Sequence, residues 1–319
     1  MQLKILFVSS GNSKTFPINP LIKAQASSIE NAGVIVEHFT IKGKGLIGYL
    51  KNIKRLKDFL NKNNFDIVHA HYSLIGWVCA LSNLKIPLVV SYMGCDTYGD
   101  YNDKGRKVFS SYIQILLGKL LQPFAKAIIV KSENLEKYIY MKYKTYIVPN
   151  GVDFKIFHEL ERSKARDKLN LNQNKKYILF LGNKENKRKN YKLLKKSINH
   201  LNINVEVINP YPVRHQDIPL YLNACDCLVL TSFNEGSPNV IKEAMATNCP
   251  IVSTDVGDVK EVFGDAKGCL LTSFNPEDLA CKIEEILSYS SRSTGRENIR
   301  DLEDSKVAKK IINIYKTLI

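Results

Sequence analysis

Two glutamates, Glu235 and Glu243, frame the stretch of this chain best suited to hold an anion and a polyol side by side. Between them runs Gly236-Ser237-Pro238-Asn239-Val240, where an apolar strand pattern, Cys227 to Thr231, gives way to a helical one reaching about Thr247. Pro238 suits a first helical position and Ser237 an N-cap. A helix start offers unpaired backbone N–H groups and the positive end of a dipole, and both attract phosphate. Carboxylates beside such a site repel the anion unless they have another job. Accepting hydrogen bonds from sugar hydroxyls is one, because ribose and hexose are rich in donors. The bland alternative is that both acids sit near a helix start because the dipole favours them there.

A diphosphate also calls for cations. Gly182-Asn183-Lys184-Glu185-Asn186-Lys187-Arg188-Lys189-Asn190 supplies them, after one strand pattern and before a helix. Arg188 is the first choice, since a planar guanidinium can bind two phosphate oxygens at once. Asn183, Lys184 and Lys189 are the donor contacts expected beside it, with a solvated lysine-rich loop as the alternative. In the first half, Val90-Ser91-Tyr92-Met93-Gly94-Cys95-Asp96 also follows a strand, and Asp96 is a candidate for contact with an acceptor. His69 and His71 close the preceding strand and could face either a ligand or the core. Gly43-Lys44-Gly45-Leu46-Ile47-Gly48 matches G-x-G-x-x-G, yet it stands in the second βα turn. A dinucleotide site wants the first turn and an acid near the end of the next strand. Dehydrogenase chemistry is therefore disfavoured, and this loop is expected to line the acceptor side.

These residues need a scaffold, and the hydropathy pattern describes one. Short β-branched runs at 3–9, 34–40, 66–70, 87–92, 126–131 and 144–148 alternate with helical patterns at 19–32, 46–63, 73–84, 106–122 and 133–142. Val148-Pro149-Asn150-Gly151-Val152-Asp153 breaks the alternation with turn chemistry. It resumes with strands near 177–181, 203–208, 226–231, 250–253 and 268–271. Strand and helix alternating without hairpin signals imply parallel sheets covered on both faces. The expected architecture is α/β: two Rossmann-like, doubly wound domains, 1–150 and 151–319, facing a cleft. A last helix, about 305–319, is free to pack back on the first domain. Ligands of open α/β sheets bind beyond the carboxyl ends of the strands, at the switch point.

The frame Glu235-Gly-Ser-Pro, then Glu243-Ala-Met-Ala, closely resembles the signature of retaining GT-B glycosyltransferases of family 4. The resemblance extends to Pro250-Ile-Val-Ser-Thr-Asp-Val-Gly257, to Pro149-Asn-Gly-Val-Asp153 and to Asp66-Ile-Val-His-Ala-His71, so it covers nearly the whole chain. It implies that Glu235 contacts the donor sugar and that Glu243 holds the ribose hydroxyls. The amides from Gly236 to Val240, Pro238 included in the segment, would lie on the diphosphate and sugar. It also places Gly11 and Asn12 near the donor phosphate and the acceptor. Two departures stand out. The family usually shows Gly-Arg and then Lys five residues on, where this chain has Asn183 and Arg188. Many relatives carry a histidine where this chain has Met93, a side chain that cannot transfer a proton.

Composition sets the remaining bounds. The chain has 319 residues, 45% hydrophobic and 24% charged, the profile of a globular protein of two ordinary domains. No apolar run approaches the ~18–20 residues needed to cross a bilayer, and the first residues read as a strand, with no secretory signal. Seven scattered cysteines without zinc-ligand spacing imply reduced thiols in a cytoplasmic protein. No Asp-x-Asp triplet occurs, so metal-independent transfer without a cofactor is expected. The net charge of +15 favours anionic partners. A helix at 46–60 carries Leu46, Leu50, Ile53, Leu56 and Leu60 on one stripe with Lys51, Lys54, Arg55 and Lys57 around it. That is a core-facing stripe with a solvated back or a face for anionic lipid, to which apolar positions at 108–121 could add.

The activity implied is transfer of a sugar, with retained configuration, from a nucleotide-diphosphate sugar to a glycan or lipid-linked glycan. Capsular and exopolysaccharide enzymes working at the inner face of the plasma membrane offer the nearest likeness. The rivals are a GT-B sugar-nucleotide epimerase, which would want cleft acids and histidines, and a basic nucleic-acid-binding protein. The second is disfavoured because the basic residues are not interleaved with aromatics on one surface.

Overall fold

Runs such as Ile5-Leu6-Phe7-Val8, with no exposed surface at any of the four residues, form strands buried on both faces. The computed structural model describes residues 2–13, 16–43, 45–82, 85–102, 106–288 and 291–319, without the Leu46 side chain. Lys44 of the glycine-rich stretch and the Leu46 position of the helical stripe therefore lie outside the described part. The chain divides into two compact units. The first comprises Met1–Asp100, Val108–Pro149 and the closing segment Asp304–Ile319. The second comprises Asn150–Glu303 together with Tyr101–Lys107, a short excursion that nothing in the sequence signals.

The first unit opens with β1 (Lys4–Ser10), α1 (Pro20–Asn31), β2 (Ile35–Ile41), α2 (Gly45–Lys62) and β3 (Ile67–His71). It continues through α3 (Ser73–Ser82), β4 (Leu88–Ser91), α4 (Cys95–Tyr98), α5 (Phe109–Leu121), β5 (Ala127–Val130), α6 (Glu133–Glu136) and β6 (Thr145–Ile147). All strands pair in parallel, in the order β2-β1-β3-β4-β5-β6. Ile5, Phe7, Ile67, Val89 and Ile129 face a core shared with Ile22, Ala26 and Ile29 of α1. On the other face α3 lies beside α2 and α5. The Ser82 hydroxyl donates to Ile53 O, and the Trp77 ring nitrogen to Leu117 O at 2.9 Å.

The second unit contains α7 (Arg162–Lys168), β7 (Lys176–Leu179), α8 (Tyr191–Ser197), β8 (Val205–Ile208), α9 (Ile218–Ala224) and β9 (Cys227–Leu230). After these come α10 (Asn239–Ala246), β10 (Ile251–Thr254), α11 (Val259–Phe263), β11 (Cys269–Thr272), α12 (Pro276–Ser288) and α13 (Gly295–Asn298). Its parallel sheet runs β11-β10-β9-β7-β8. The final helix, α14 (Asp304–Lys316), belongs to the first unit, where Ile311 and Tyr315 join the α1-side core and Ser28 donates to Asp304 O.

One sequence expectation changes, and an alternative left open is narrowed. The pattern at 133–142 forms only one α-turn, capped by the Ser132 hydroxyl. The amides of Tyr140 and Met141 are instead taken by Gln122 Oε1, at 3.0 and 3.3 Å, which ends any helical ladder there. The α2 stripe is mostly a core stripe. Among the described side chains of the stripe, Leu56 and Leu60 are buried, Ile53 is half-buried and Leu50, in the first turns, is exposed, as is its neighbour Ile47.

Candidate functional site

In the second unit the strand order turns back between β7 and β9, and the two loops leaving their carboxyl ends are stitched together. The Thr231 hydroxyl donates to Lys189 O and Asn190 O at 2.9 and 3.0 Å, and Phe233 N donates to Arg188 O at 2.9 Å. A switch point built this way is where an open α/β sheet holds a ligand. The loop after β7 forms a single 3₁₀ turn, Lys187–Lys189, capped by the Asn186 side chain, and Asn190 at φ +49° starts α8.

Glu235 is the hub of this junction. Its side chain is 10% exposed; Oε2 lies 2.5 Å from Arg188 Nη1 and Oε1 lies 2.7 Å from Lys189 Nζ. Ser232 donates to Oε1 as well, at 2.9 Å. Burial alone would push this carboxyl up. The two cations and the hydroxyl outweigh burial and hold it below the usual carboxylate range. Arg188 and Lys189, expected as free phosphate ligands, are thus engaged with an acid, and the trio carries one net positive charge. Asn183 and Lys184 stand apart from it. The Asn183 side-chain oxygen Oδ1 accepts from Glu185 N at 2.9 Å, and exposed Lys184 reaches over the Tyr191 ring, 4.9 Å from its centre.

The start of α10 differs from expectation by one residue. Pro238 is the N-cap, Asn239 the first helical residue, and no side chain caps the helix. Ser237 has other work. Its hydroxyl sits 2.8 Å from Asp258 Oδ2, accepts from Lys242 Nζ at 2.6 Å and from Asn150 N at 3.2 Å. Lys242 has no exposed surface and contacts both Asp258 oxygens at 2.6 Å. Burial pushes the ammonium down, and the adjacent carboxylate works against that. Asn150 also donates to Ser237 O and Asn239 Oδ1, so the turn at residue 150 grips the helix start directly. Gly236 is pinned from behind: a Cβ on Gly257, at φ +63°, would stand 2.8 Å from Gly236 O. The amides from Gly236 to Val240 therefore belong to a braced segment.

Glu243 is buried one turn into α10, and its Oε1 lies 2.8 Å from His215 Nε2. The His215 ring meets the Phe157 ring edge-on at 5.2 Å. Lys242, Asp258 and His215 were not singled out from sequence, and Asn150 was legible only as part of the turn at 148–153. Of the first three, only Lys242 left a trace there, as a lone cation amid Val240-Ile241 and Ala244-Met245-Ala246.

The first unit treats its candidates differently. Asp96 is 1% exposed and accepts three backbone N–H groups, from Ser73 at 2.9 Å, Met93 at 2.9 Å and Gly94 at 3.0 Å. Burial pushes its carboxyl up to about 6 against those bonds. Expected to touch an acceptor, it instead shapes the loop that presents half-buried Met93. His69 is a core histidine, with its ring nitrogens 2.5 Å from Tyr315 OH and 2.8 Å from Ser91 Oγ. Gly11 packs so tightly on β2 that a Cβ would lie 2.8 Å from Thr40 Cβ. Asn12 exchanges two hydrogen bonds with Gly43, and Gly43 and Gly48 touch backbone to backbone. The G-x-G-x-x-G spacing is thus met by close packing.

Among the described residues no group of three or more His, Cys, Asp or Glu side chains could hold a metal ion, and no helix is long and apolar enough to cross a membrane. Residues 9–155 match the family described as Glycosyltransferase Family 4, and residues 189–301 the family described as Glycosyl transferases group 1. A putative teichuronic acid biosynthesis glycosyltransferase of Bacillus subtilis, TuaC, is 24% identical over 272 residues, which span 74% of this chain and 64% of that protein. Among solved structures, sucrose-phosphate synthase from Thermosynechococcus elongatus superposes with a TM-score of 0.85 at 18% identity, over 99% of each chain. Anabaena HepE in complex with UDP-glucose does so with a TM-score of 0.76 at 16% identity, over 99% of this chain and all of that one.

Proposed function

The chain belongs to the family 4, group 1 glycosyltransferases, and from that premise we propose that it moves a sugar from a nucleotide-diphosphate sugar to a hydroxyl of a glycan or lipid-linked glycan, in cell-surface polysaccharide synthesis. One observation carries the reading: a buried, ionised Glu235 held by Arg188 and Lys189 beside the start of α10. An incoming diphosphate competes for those two cations. Its arrival frees the carboxylate to accept hydrogen bonds from sugar hydroxyls, so a single exchange of partners seats both ends of the donor. As the glycosidic bond breaks, charge builds on the leaving diphosphate. Arg188, Lys189 and the backbone N–H groups of Gly236, Ser237, Asn239 and Val240 then stabilise it without a metal. Glu243 accepts from the ribose hydroxyls, with His215 orienting it. The acceptor hydroxyl attacks the face from which the diphosphate departs, and a phosphate oxygen takes its proton, so configuration is retained. Asp96 acts through the Met93 loop as a positioning residue. The place of work is the cytoplasmic face of a membrane that carries the acceptor.

HepE, bound to UDP-glucose, makes uridine donors the first to try. TuaC, named for teichuronic acid biosynthesis, points to an acidic glycan as the acceptor class. The test is release of nucleoside diphosphate from a panel of nucleotide sugars, with and without polyprenyl-linked glycan. Release that requires the acceptor supports transfer. Conversion of the donor into its epimer without any acceptor would sink the proposal.

A further inference from the structure

The least settled surface of the first unit is α5. Its outward positions Phe109, Tyr112, Ile113, Leu116 and Leu120 fall on one helical face and are between 52% and 80% exposed. Its inward positions are the small or buried Ser111, Gly118 and Leu121. A solvent-facing helix of a globular protein ordinarily carries charged residues there, yet α5 holds no acid and a single cation, Lys119. An apolar face of this extent marks a surface that something covers.

What surrounds the stripe says what covers it. Gln122, just past the helix, holds the amides of Tyr140 and Met141, and Lys144 reaches back to Pro123 O and Ala125 O. These bonds draw residues 138–144 against the end of α5. That segment presents Tyr138, Tyr140 and Tyr143, with Tyr143 83% exposed, and Phe124 adds a fourth exposed ring. Interleaved with them are exposed Lys119, Lys126, Lys137 and Lys142, against one exposed acid, Glu133. Apolar stripe, rim of tyrosines and lysines on long apolar stems: this is the composition of a surface that rests in a headgroup layer. At 13 residues α5 spans only about 20 Å, so it lies in the interface plane and does not cross.

We propose that α5 and the 138–144 segment form the face by which this chain docks on an anionic lipid bilayer. The proposal deepens the reading of a membrane-borne acceptor and moves the contact from α2, whose stripe is mainly core, to α5. Two copies of this chain would bring like-charged lysine rims together, whereas anionic headgroups match them.

Co-sedimentation of the full chain with vesicles, in the absence of nucleotide, tests the idea. Vesicles of phosphatidylcholine with phosphatidylglycerol should retain the protein about tenfold better than phosphatidylcholine alone, and added salt should erase much of the difference. The variant Phe109→Ser/Ile113→Ser/Leu116→Ser should lose binding to both. Lys119→Glu/Lys142→Glu should keep its thermal midpoint and lose only the preference for phosphatidylglycerol. Wild-type protein that ignores the vesicles overturns the proposal, as does serine-substituted protein that still binds. So does a wild-type dimer that the serine variant splits into monomers with no change in vesicle binding. Binding of UDP-sugar, measured separately on the same variants, reports on the donor reading alone, so either idea can fail without the other.

Discussion

At the carboxyl edges of two similarly wound sheets, polar side chains have opposite fates. In the second unit Glu235, Arg188 and Lys189 pair with one another through their side chains, in contacts that a ligand of matching charge can break and replace. In the first unit the corresponding groups are spent on the fold. Asp96 binds three amides, Asn12 binds Gly43, and His69 uses both nitrogens within the core. A rebindable site is distinguished by partners that are themselves side chains on another loop. Polar groups satisfied by backbone, as at Asp96 and Asn12, or sealed within the core, as at His69, are committed to architecture.

The sharpest way to break this comparison is Glu235→Ala. It should leave Arg188 and Lys189 to bind nucleoside diphosphate as well as before, or better. Turnover should fall roughly a hundredfold, the scale of one lost electrostatic contact at a reacting centre. Steady-state kinetics with nucleotide sugar checks the split between kcat and KM. Unchanged kcat would mean that the acid merely stores the cations.

Lys242→Met probes the brace behind the site. The variant leaves Asp258, 3% exposed, as an uncompensated buried charge, which costs about 3–5 kcal/mol. Adding Asp258→Leu should recover much of that loss, because a buried ion pair is often replaceable by apolar groups. Denaturant unfolding followed by circular dichroism measures both. A single variant as stable as wild type would show that the Ser237 network is not what holds the start of α10.

How far these contrasts could be read in the sequence follows from the range of the forces involved. β-branched runs and amphipathic spacing are local, so every strand among the described residues lies within two residues of its predicted bounds. The Glu235 and Glu243 frame was legible for the same reason: strand, loop and helix are contiguous. The pairings were not. Arg188 and Glu235 are 47 positions apart, His215 and Glu243 are 28 apart, and a distant side chain leaves no periodic mark. The false helix at 133–142 has the same origin. Local spacing favours it, and Gln122, 18 residues from Tyr140, removes its amides.

Acid should separate the two units. Burial first, and the Lys131 charge second, push His69 down to about 3, and burial pushes His71 well below its ordinary value. Their folded pKa values lie below the unfolded ones, so the stability they permit is complete above about 6.5 and is lost as pH falls. Near pH 5 the His69 ring costs about 2 kcal/mol, and His71 acts in the same direction. Asp96 runs the other way. Raised to about 6, it favours the fold below about 4 and loses that favour as pH rises, so near pH 5 it returns about 1 kcal/mol. Glu235, lowered, keeps its contribution at that pH. The net loss falls on the first unit, which contains Trp77, the one tryptophan of the chain. Tryptophan fluorescence should therefore report an earlier denaturant midpoint near pH 5 than near pH 7.5, and His69→Gln/His71→Gln should flatten that dependence.

The smallest effect separates the two acids of the donor site. Glu243 sits on rigid α10, with one oxygen on His215 and the other available to a vicinal diol. If it holds the ribose, it binds the ground state and the transition state alike, and Glu243→Ala should weaken UDP and UDP-sugar equally while kcat stays put. A hydrogen bond to a charged group is worth about 1.5 kcal/mol at the low end of its range, so the loss should be about tenfold. Binding of 2′-deoxy-UDP then isolates the contact: wild type should discriminate against it, and Glu243→Ala should not. A wild-type protein that binds UDP and its deoxy form equally well has no carboxylate on that hydroxyl. In that case Glu243 serves only to fix His215, and the second unit, like the first, has turned an acid over to its own architecture.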